Sequence, residues 1–215
     1  MPLAKATPEG LTDRAASFVR VHGHWTECVD LEPYRAEWAR DGVPDAEIDR
    51  VVAYQATWGG LALPPSPSYD GGPRALSADR PYEYHPGWRF WAGDQRTSLP
   101  YSFMIGPDGE FGLQGTAWAP LHAGIEGWIE ALALAHHARR WARATTTLTG
   151  EEVDTLDLDG FEPVPEVAGL TDTWWRRADS LVALYLGEAA AVNAPGWRTA
   201  TIYTGLDPWG SGDGG

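Results

Sequence analysis

Apolar and polar residues recur with helical spacing over the first quarter of the chain, and with the shorter period of strands past residue 60. The stretch TDRAASFVRVH predicts a first helix from Thr12, a good N-cap, to about His22, with Gly23 as its stop. DLEPYRAEWARDG predicts a second, opened by Asp30, with Pro33 in the first turn and Gly42 just past the end. In the third, PDAEIDRVVAYQATW, Ile48, Val51, Val52 and Gln55 share one stripe, and the polar Gln55 predicts that this side is partly wet. Helical character ends at Gly59-Gly60 and strand character starts at Leu61. The pair therefore reads as a corner that turns the helix into the first strand of a sheet.

Residues 60–93 are rich in Pro, Gly and aromatics, a texture of short strands around a long loop. SFMIGPDGEFGLQG is the clearest hairpin, with Gly106-Pro107-Asp108-Gly109 as its tight turn. AGIEGWIEALALAHHARRWAR carries the longest helical stripe, through Ile125, Trp128, Ile129 and Leu132. Arg139, Arg140 and Arg143 fall at its C-terminal end, where the helix dipole favours cations. An acidic, Pro-containing segment follows Ala144. Residues 173–206 then read as two or three further strands, with Asn193-Ala194-Pro195-Gly196 as a turn. Residues 1–10 look like a loose arm, and the tail DPWGSGDGG, residues 207–215, is flexible by composition. There is no internal repeat.

At 215 residues, 43% of them hydrophobic, the chain can bury an ordinary core. Its formal net charge of −14 disfavours nucleic acid and anionic membranes, and suits steering towards a basic protein partner. Lys5 is the single lysine, all other cations being Arg, and Cys28 is the single cysteine, which leaves no intrachain disulfide to form. The first ten residues lack an apolar run of the secretory type, and no apolar stretch approaches the ~20 residues of a membrane span. These features predict a cytoplasmic protein.

Candidate chemistry is thin. A phosphate loop at Trp58-Gly59-Gly60 fails, since the order is helix, glycines, strand, without the Lys-Ser/Thr pair. His22, His24, Glu27 and Cys28 lack the distant ligands a zinc site needs. His136 and His137 are adjacent on a helix, about 100° apart, and should not point into one site. Thr155, Asp157, Asp159, Gly160 and Glu166 partly match a calcium loop. Its first position is not acidic, and Pro163 and Pro165 obstruct the helix that should follow, so an acidic loop is the expectation. No nucleophile elbow or catalytic cysteine signature occurs, and no carboxylate pair stands out, so neither a catalytic residue nor a cofactor is expected.

Aromatics are the surplus, with 12 Trp in the chain. Trp128 belongs to a helical core stripe. Trp88, Trp91, Trp174, Trp175 and Trp209 lie near loops or on short strands and cannot all be buried easily. Exposed Trp and Tyr anchor protein interfaces and also form sugar platforms.

The order FVRVHGHW, VDLEPYRAEWARDGVP, VVAYQATWGGLALP resembles the SUKH (Smi1/Knr4-like) superfamily, nearest to its bacterial immunity-protein branch. The resemblance rests on Gly23 and Trp25, Val29-Asp30, Gly42 and Trp58-Gly59-Gly60-Leu61. The hairpin FMIGPDGEFGL and the helix GIEGWIEALALA continue it, over about residues 12–143. It implies an α+β fold in which N-terminal helices pack on a mixed or antiparallel sheet with a closing helix. Residues 144–206 would be a β-rich extension, either further strands on that sheet or a small appended module. It also implies a non-catalytic task, binding and blocking a cognate polymorphic toxin such as a nuclease or deaminase. Residue type and loop position single out Tyr69, Asp70, Tyr82, Glu83, Tyr84, Trp174 and Trp175 as contacts. The alternatives are a small-ligand or carbohydrate-binding protein using the aromatic loop 64–100, and a hydrolase built on scattered carboxylates.

Overall fold

The computed structural model describes residues 6–206, so Trp209 and the expected tail lie outside the described residues. The chain opens with α1 (Asp13–His22), β1 (His24–Trp25), α2 (Arg35–Arg40), α3 (Asp45–Trp58) and β2 (Leu61–Ala62). β3 (Pro73–Leu76), β4 (Tyr82–Glu83), β5 (Trp88–Trp91), β6 (Gly93–Gln95), β7 (Ser102–Ile105), β8 (Phe111–Gln114) and β9 (Trp118–His122) follow. α4 (Ile125–Trp141) then leads into β10 (Ala144–Thr149), β11 (Glu162–Pro163), β12 (Thr173–Arg177), β13 (Ser180–Tyr185), α5 (Gly187–Val192) and β14 (Thr199–Thr204). No described helix is long and apolar enough to cross a membrane.

The fold is α+β, and every named strand pairing is antiparallel. One five-stranded sheet runs β4-β5-β7-β8-β9 and a second runs β10-β14-β13-β12-β11. β1-β2 and β3-β6 are separate two-stranded ribbons. Two sequence expectations change here. The Gly59-Gly60 corner feeds β2 into a ribbon with β1 rather than into a main sheet. Gly60 takes φ +87°, and a Cβ there would meet the Thr26 carbonyl oxygen at 2.3 Å, so only glycine fits. Residues 144–206, for which two arrangements were open, contribute the strands of the second sheet. Between β13 and β14 the alanine-rich GEAAAV forms a helix, which Asn193 ends in the left-handed conformation.

Each helix forms where its sequence supplies ends and an apolar stripe. Thr12 caps α1 by accepting from the Ala15 amide at 3.3 Å. Its own hydroxyl donates to Glu130, buried on α4, and Arg14 reaches the same carboxylate at 3.3 Å, so α1 is fastened to α4. α3 buries Ile48, Val51, Tyr54 and Trp58. Its polar stripe member is not wet. Gln55 is buried, donating to the Val29 carbonyl and accepting from the Ala78 amide, each at 2.8 Å, which satisfies both ends of the amide.

Both long helices lie on one face of the first sheet. Tyr54 of α3 meets Phe90 edge-on at 5.4 Å, and Trp128 of α4 meets Phe111 at 5.0 Å between ring centres. The second sheet turns Trp174, Leu181, Tyr185 and Tyr203 inward, with Trp174 stacked on Tyr203 at 6.1 Å. Tyr69 joins the halves, lying 6.0 Å from Trp128 and 6.1 Å from Tyr185. Buried side chains from both stretches thus belong to one hydrophobic cluster.

Candidate interaction surface

Strand register sorts the first sheet into two faces. Phe90, Phe103, Ile105, Phe111 and Leu113 point to the helices. Tyr82, Arg89, Trp91, Met104, Gln114 and Trp118 share the opposite face, turned away from α3 and α4. Arg89 is the pivot of this outer face. Its guanidinium lies 5.1 Å from the Tyr84 ring centre and 4.8 Å from that of Trp118, and donates to Gln114 Oε1 at 3.1 Å. Burial lowers the affinity of Arg89 for its proton, which the neighbouring Glu110 opposes. Trp118 is itself fixed, its indole N–H donating to Glu110 Oε1 at 3.2 Å. Tyr82 and Trp91 remain 43% and 39% exposed beside this pinned group. The result is a rigid aromatic surface with a carboxylate at its border.

The seven residues singled out from sequence separate. Tyr82 and Glu83 are exposed on β4, and Tyr84 is half-buried against Arg89. Asp70 is exposed and accepts from the Thr97 hydroxyl at 3.2 Å. Trp175 is half-buried on the outer face of the second sheet, its N–H donating to Thr173 Oγ1 at 3.0 Å. Tyr69 and Trp174 are corrections. At 3% and 1% exposure they are core residues, unable to present a ring to a partner. In TWWRR the strand alternation decides the matter, sending Trp174 inward and Trp175 outward. Arg89, Trp91 and Trp118 were not singled out as contacts, although the alternation in WRFW places Arg89 and Trp91 together on one face.

Tyr69 owes its position to a left-handed turn, with φ of 58° at Tyr69 and 46° at Asp70, followed by Gly71 and Gly72. This unusual backbone drives the ring inward and leaves Asp70 outside. The Tyr69 hydroxyl donates to Asp172 Oδ2 at 2.5 Å, while Oδ1 accepts from the amides of Leu186 at 2.9 Å and Gly187 at 3.1 Å. Burial pushes Asp172 up to about 7, against the pull of those three donors. Gly187 has to lack a side chain, since a Cβ would meet Leu121 Cδ2 at 1.9 Å. Nearby, Tyr101 donates to Glu188 at 2.9 Å, and burial raises this carboxyl too. His122 is buried against Trp128, with Nδ1 2.9 Å from the Val167 carbonyl, and burial lowers it to about 4.

Tyr69, Asp172 and His122 of this polar set are buried, Glu188 is half-buried, and together they tie the second sheet to the first. The set offers no nucleophile to a substrate. The acidic segment after β10 forms a 3-10 turn (Gly150–Thr155) with a capping box between Thr149 and Glu152. Arg198 holds Asp154 at 2.7 and 2.9 Å, and Arg177 stacks over Phe161 at 5.9 Å, so the segment straps the outer side of the second sheet. Among the described residues no three His, Cys, Asp or Glu side chains converge as metal ligands. No family model, curated protein or solved structure matches the chain.

Proposed function

We propose that this is a non-catalytic immunity-type protein that binds and neutralises a cognate polymorphic toxin in the cytoplasm, as its resemblance to the SUKH immunity branch implies. The observation that carries the reading is the outer face of the first sheet, turned away from α3 and α4. There Tyr82 and Trp91 stand exposed around the pinned Arg89, on a chain of net charge −14. Rigid aromatic anchors lose little side-chain freedom on binding and supply most of the affinity of an interface. Excess carboxylate steers a basic partner into place. Glu83 is exposed on the edge strand β4, its side chain alternating to the side opposite Tyr82, and the half-buried Trp175 and exposed Asp70 lie elsewhere as secondary contacts.

The test is affinity capture and calorimetry with the products of the adjoining reading frames, a large modular secreted protein among them being the expected binder. The paired change Tyr82→Ala with Trp91→Ala is expected to weaken binding by about 30-fold or more, which is ~2 kcal/mol. Glu83→Lys should lower the association rate at low salt and have little effect at high salt. If no neighbouring product binds while a sugar perturbs the Trp91 indole resonance, the carbohydrate reading replaces this one.

A further inference from the structure

The surface opposite in sign to the rest of the chain lies between α1 and α4, on the helical side of the first sheet. There Arg14 and His22 of α1 face His136, His137, Arg140 and Trp141 of α4 across a groove of about 620 Å3. A second depression of about 350 Å3 adjoins it, walled by Pro64 and Pro65. It shares Phe18, His136 and Arg140 with the first and carries Arg139 at its rim. Neither lining contains a carboxylate, although the chain has 30 acidic residues against 16 basic ones. Arg139 and Arg140 make no salt bridge among the described residues, and both are exposed. His22 and His136 approach to 4.3 Å between ring centres, and burial, with the neighbouring His22 and arginines, disfavours protonation of His136. The apolar share of the wall comes from Phe18, Val21 and Trp141, the last 55% exposed and 6.1 Å from the His137 ring.

We infer that this groove is a binding site for a small organic phosphate, its phosphoryl group held by Arg140, His136 and Arg14 and its aromatic body laid against Trp141. A phosphate monoester supplies two negative charges, enough to answer the two imidazoles and the unpaired Arg140 together, which a single carboxylate is not. Groove volume fits a ligand of nucleotide size. Binding favours protonated imidazole, so it takes up protons and strengthens as pH falls through the histidine range. The charged groups acting on His136 are His22 from α1 and Arg140, His137 and Arg139 from α4, while Arg14 lines the same groove beside His137. Arg14 is partly neutralised by Glu130, and the proline wall contributes no charge.

Calorimetry of the intact protein with adenosine monophosphate, inorganic phosphate and adenosine tests the site. Adenosine monophosphate is expected to bind at pH 6.5 in low salt, at least about threefold more tightly than at pH 8.0. The conservative changes Arg140→Gln and His136→Gln should each weaken it by about fivefold or more, with thermal unfolding unchanged because both side chains face the groove. The imidazole resonances of His136 should move to higher pKa on saturation, a readout that needs no variant. Absence of binding at pH 6.5, or an affinity indifferent to Arg140→Gln, overturns the site. Equal affinity for inorganic phosphate overturns the role given to Trp141.

Discussion

The two five-stranded sheets handle their outward faces in opposite ways. The second sheet covers its outer side with a strap, Gly150–Thr155 and the residues after it, tied down through Arg198–Asp154 and Arg177–Phe161. The first sheet has no such cover and shields Met104 with its own Arg89, Trp91 and Trp118. A tryptophan therefore means different things in the two places. In the second sheet Trp174 is locked against Tyr203, whereas in the first Trp91 keeps much of its ring in water. The same residue type serves cohesion in one and is available for recognition in the other.

The largest effect that would break this contrast is on stability. Trp174→Ala should cost about 3–5 kcal/mol, since it empties a fully buried volume, whereas Trp91→Ala should cost less than ~1 kcal/mol. Urea unfolding measures both. Equal losses would mean that the first sheet's outer face is as structural as the second sheet's inner one.

The pH dependence of stability sharpens the comparison at the seam between the sheets. His122 has a folded pKa of about 4, below its usual 6.5, so the stability it contributes is present above 6.5 and lost as pH falls towards 4. Asp172 is displaced the other way, from 3.8 to about 7, so its contribution is present below 3.8 and lost as pH rises through 7. At 1.36 kcal/mol per pH unit each effect is about 3–4 kcal/mol, and between pH 4 and 6.5 the two oppose. Relative to the parent chain, His122→Asn should lose stability more steeply as pH rises over this interval, and Asp172→Asn should gain it. Denaturation midpoints at pH 4.5, 5.5 and 6.5 would reveal parallel curves if the two groups were not displaced in opposite senses.

The smallest effect concerns the strap. Thr149→Ala removes one half of the capping box and should cost about 1 kcal/mol. Amide exchange should quicken at Gly150–Thr155 and on the outer side of β14 while the first sheet stays protected. Uniform exchange across both sheets would show that the strap is not a local cover.

Much of the secondary structure was legible because its signals are local. Thr12, Gly60 and the Gly106–Gly109 turn each act within a few residues, and α1, α3, α4 and the β7-β8 hairpin fall where period and punctuation put them. The failures depend on distant partners. Gln55 looked wet because its hydrogen-bond partners, at Val29 and Ala78, lie 26 and 23 residues away in sequence. His136 and His137 do border one groove on an unbroken helix, because α1 crosses near enough for both edges of that helical face to line it. Of the candidate contacts, Tyr69 was misplaced by a left-handed backbone at a non-glycine residue, which composition does not announce. The Arg89 sandwich needed strand register, since Tyr84 and Trp118 come from opposite edges of the sheet.

That sandwich also bears on which groups an incoming molecule can place there. Tyr84 and Trp118 each already have a guanidinium against one side of the ring, and the π electrons drawn towards it leave the other side a poorer host for a second cation. On the proposed binding role, lysine and arginine of a visitor would find their counterpart in the border carboxylate Glu110, and its aliphatic and aromatic side chains would settle on the rings.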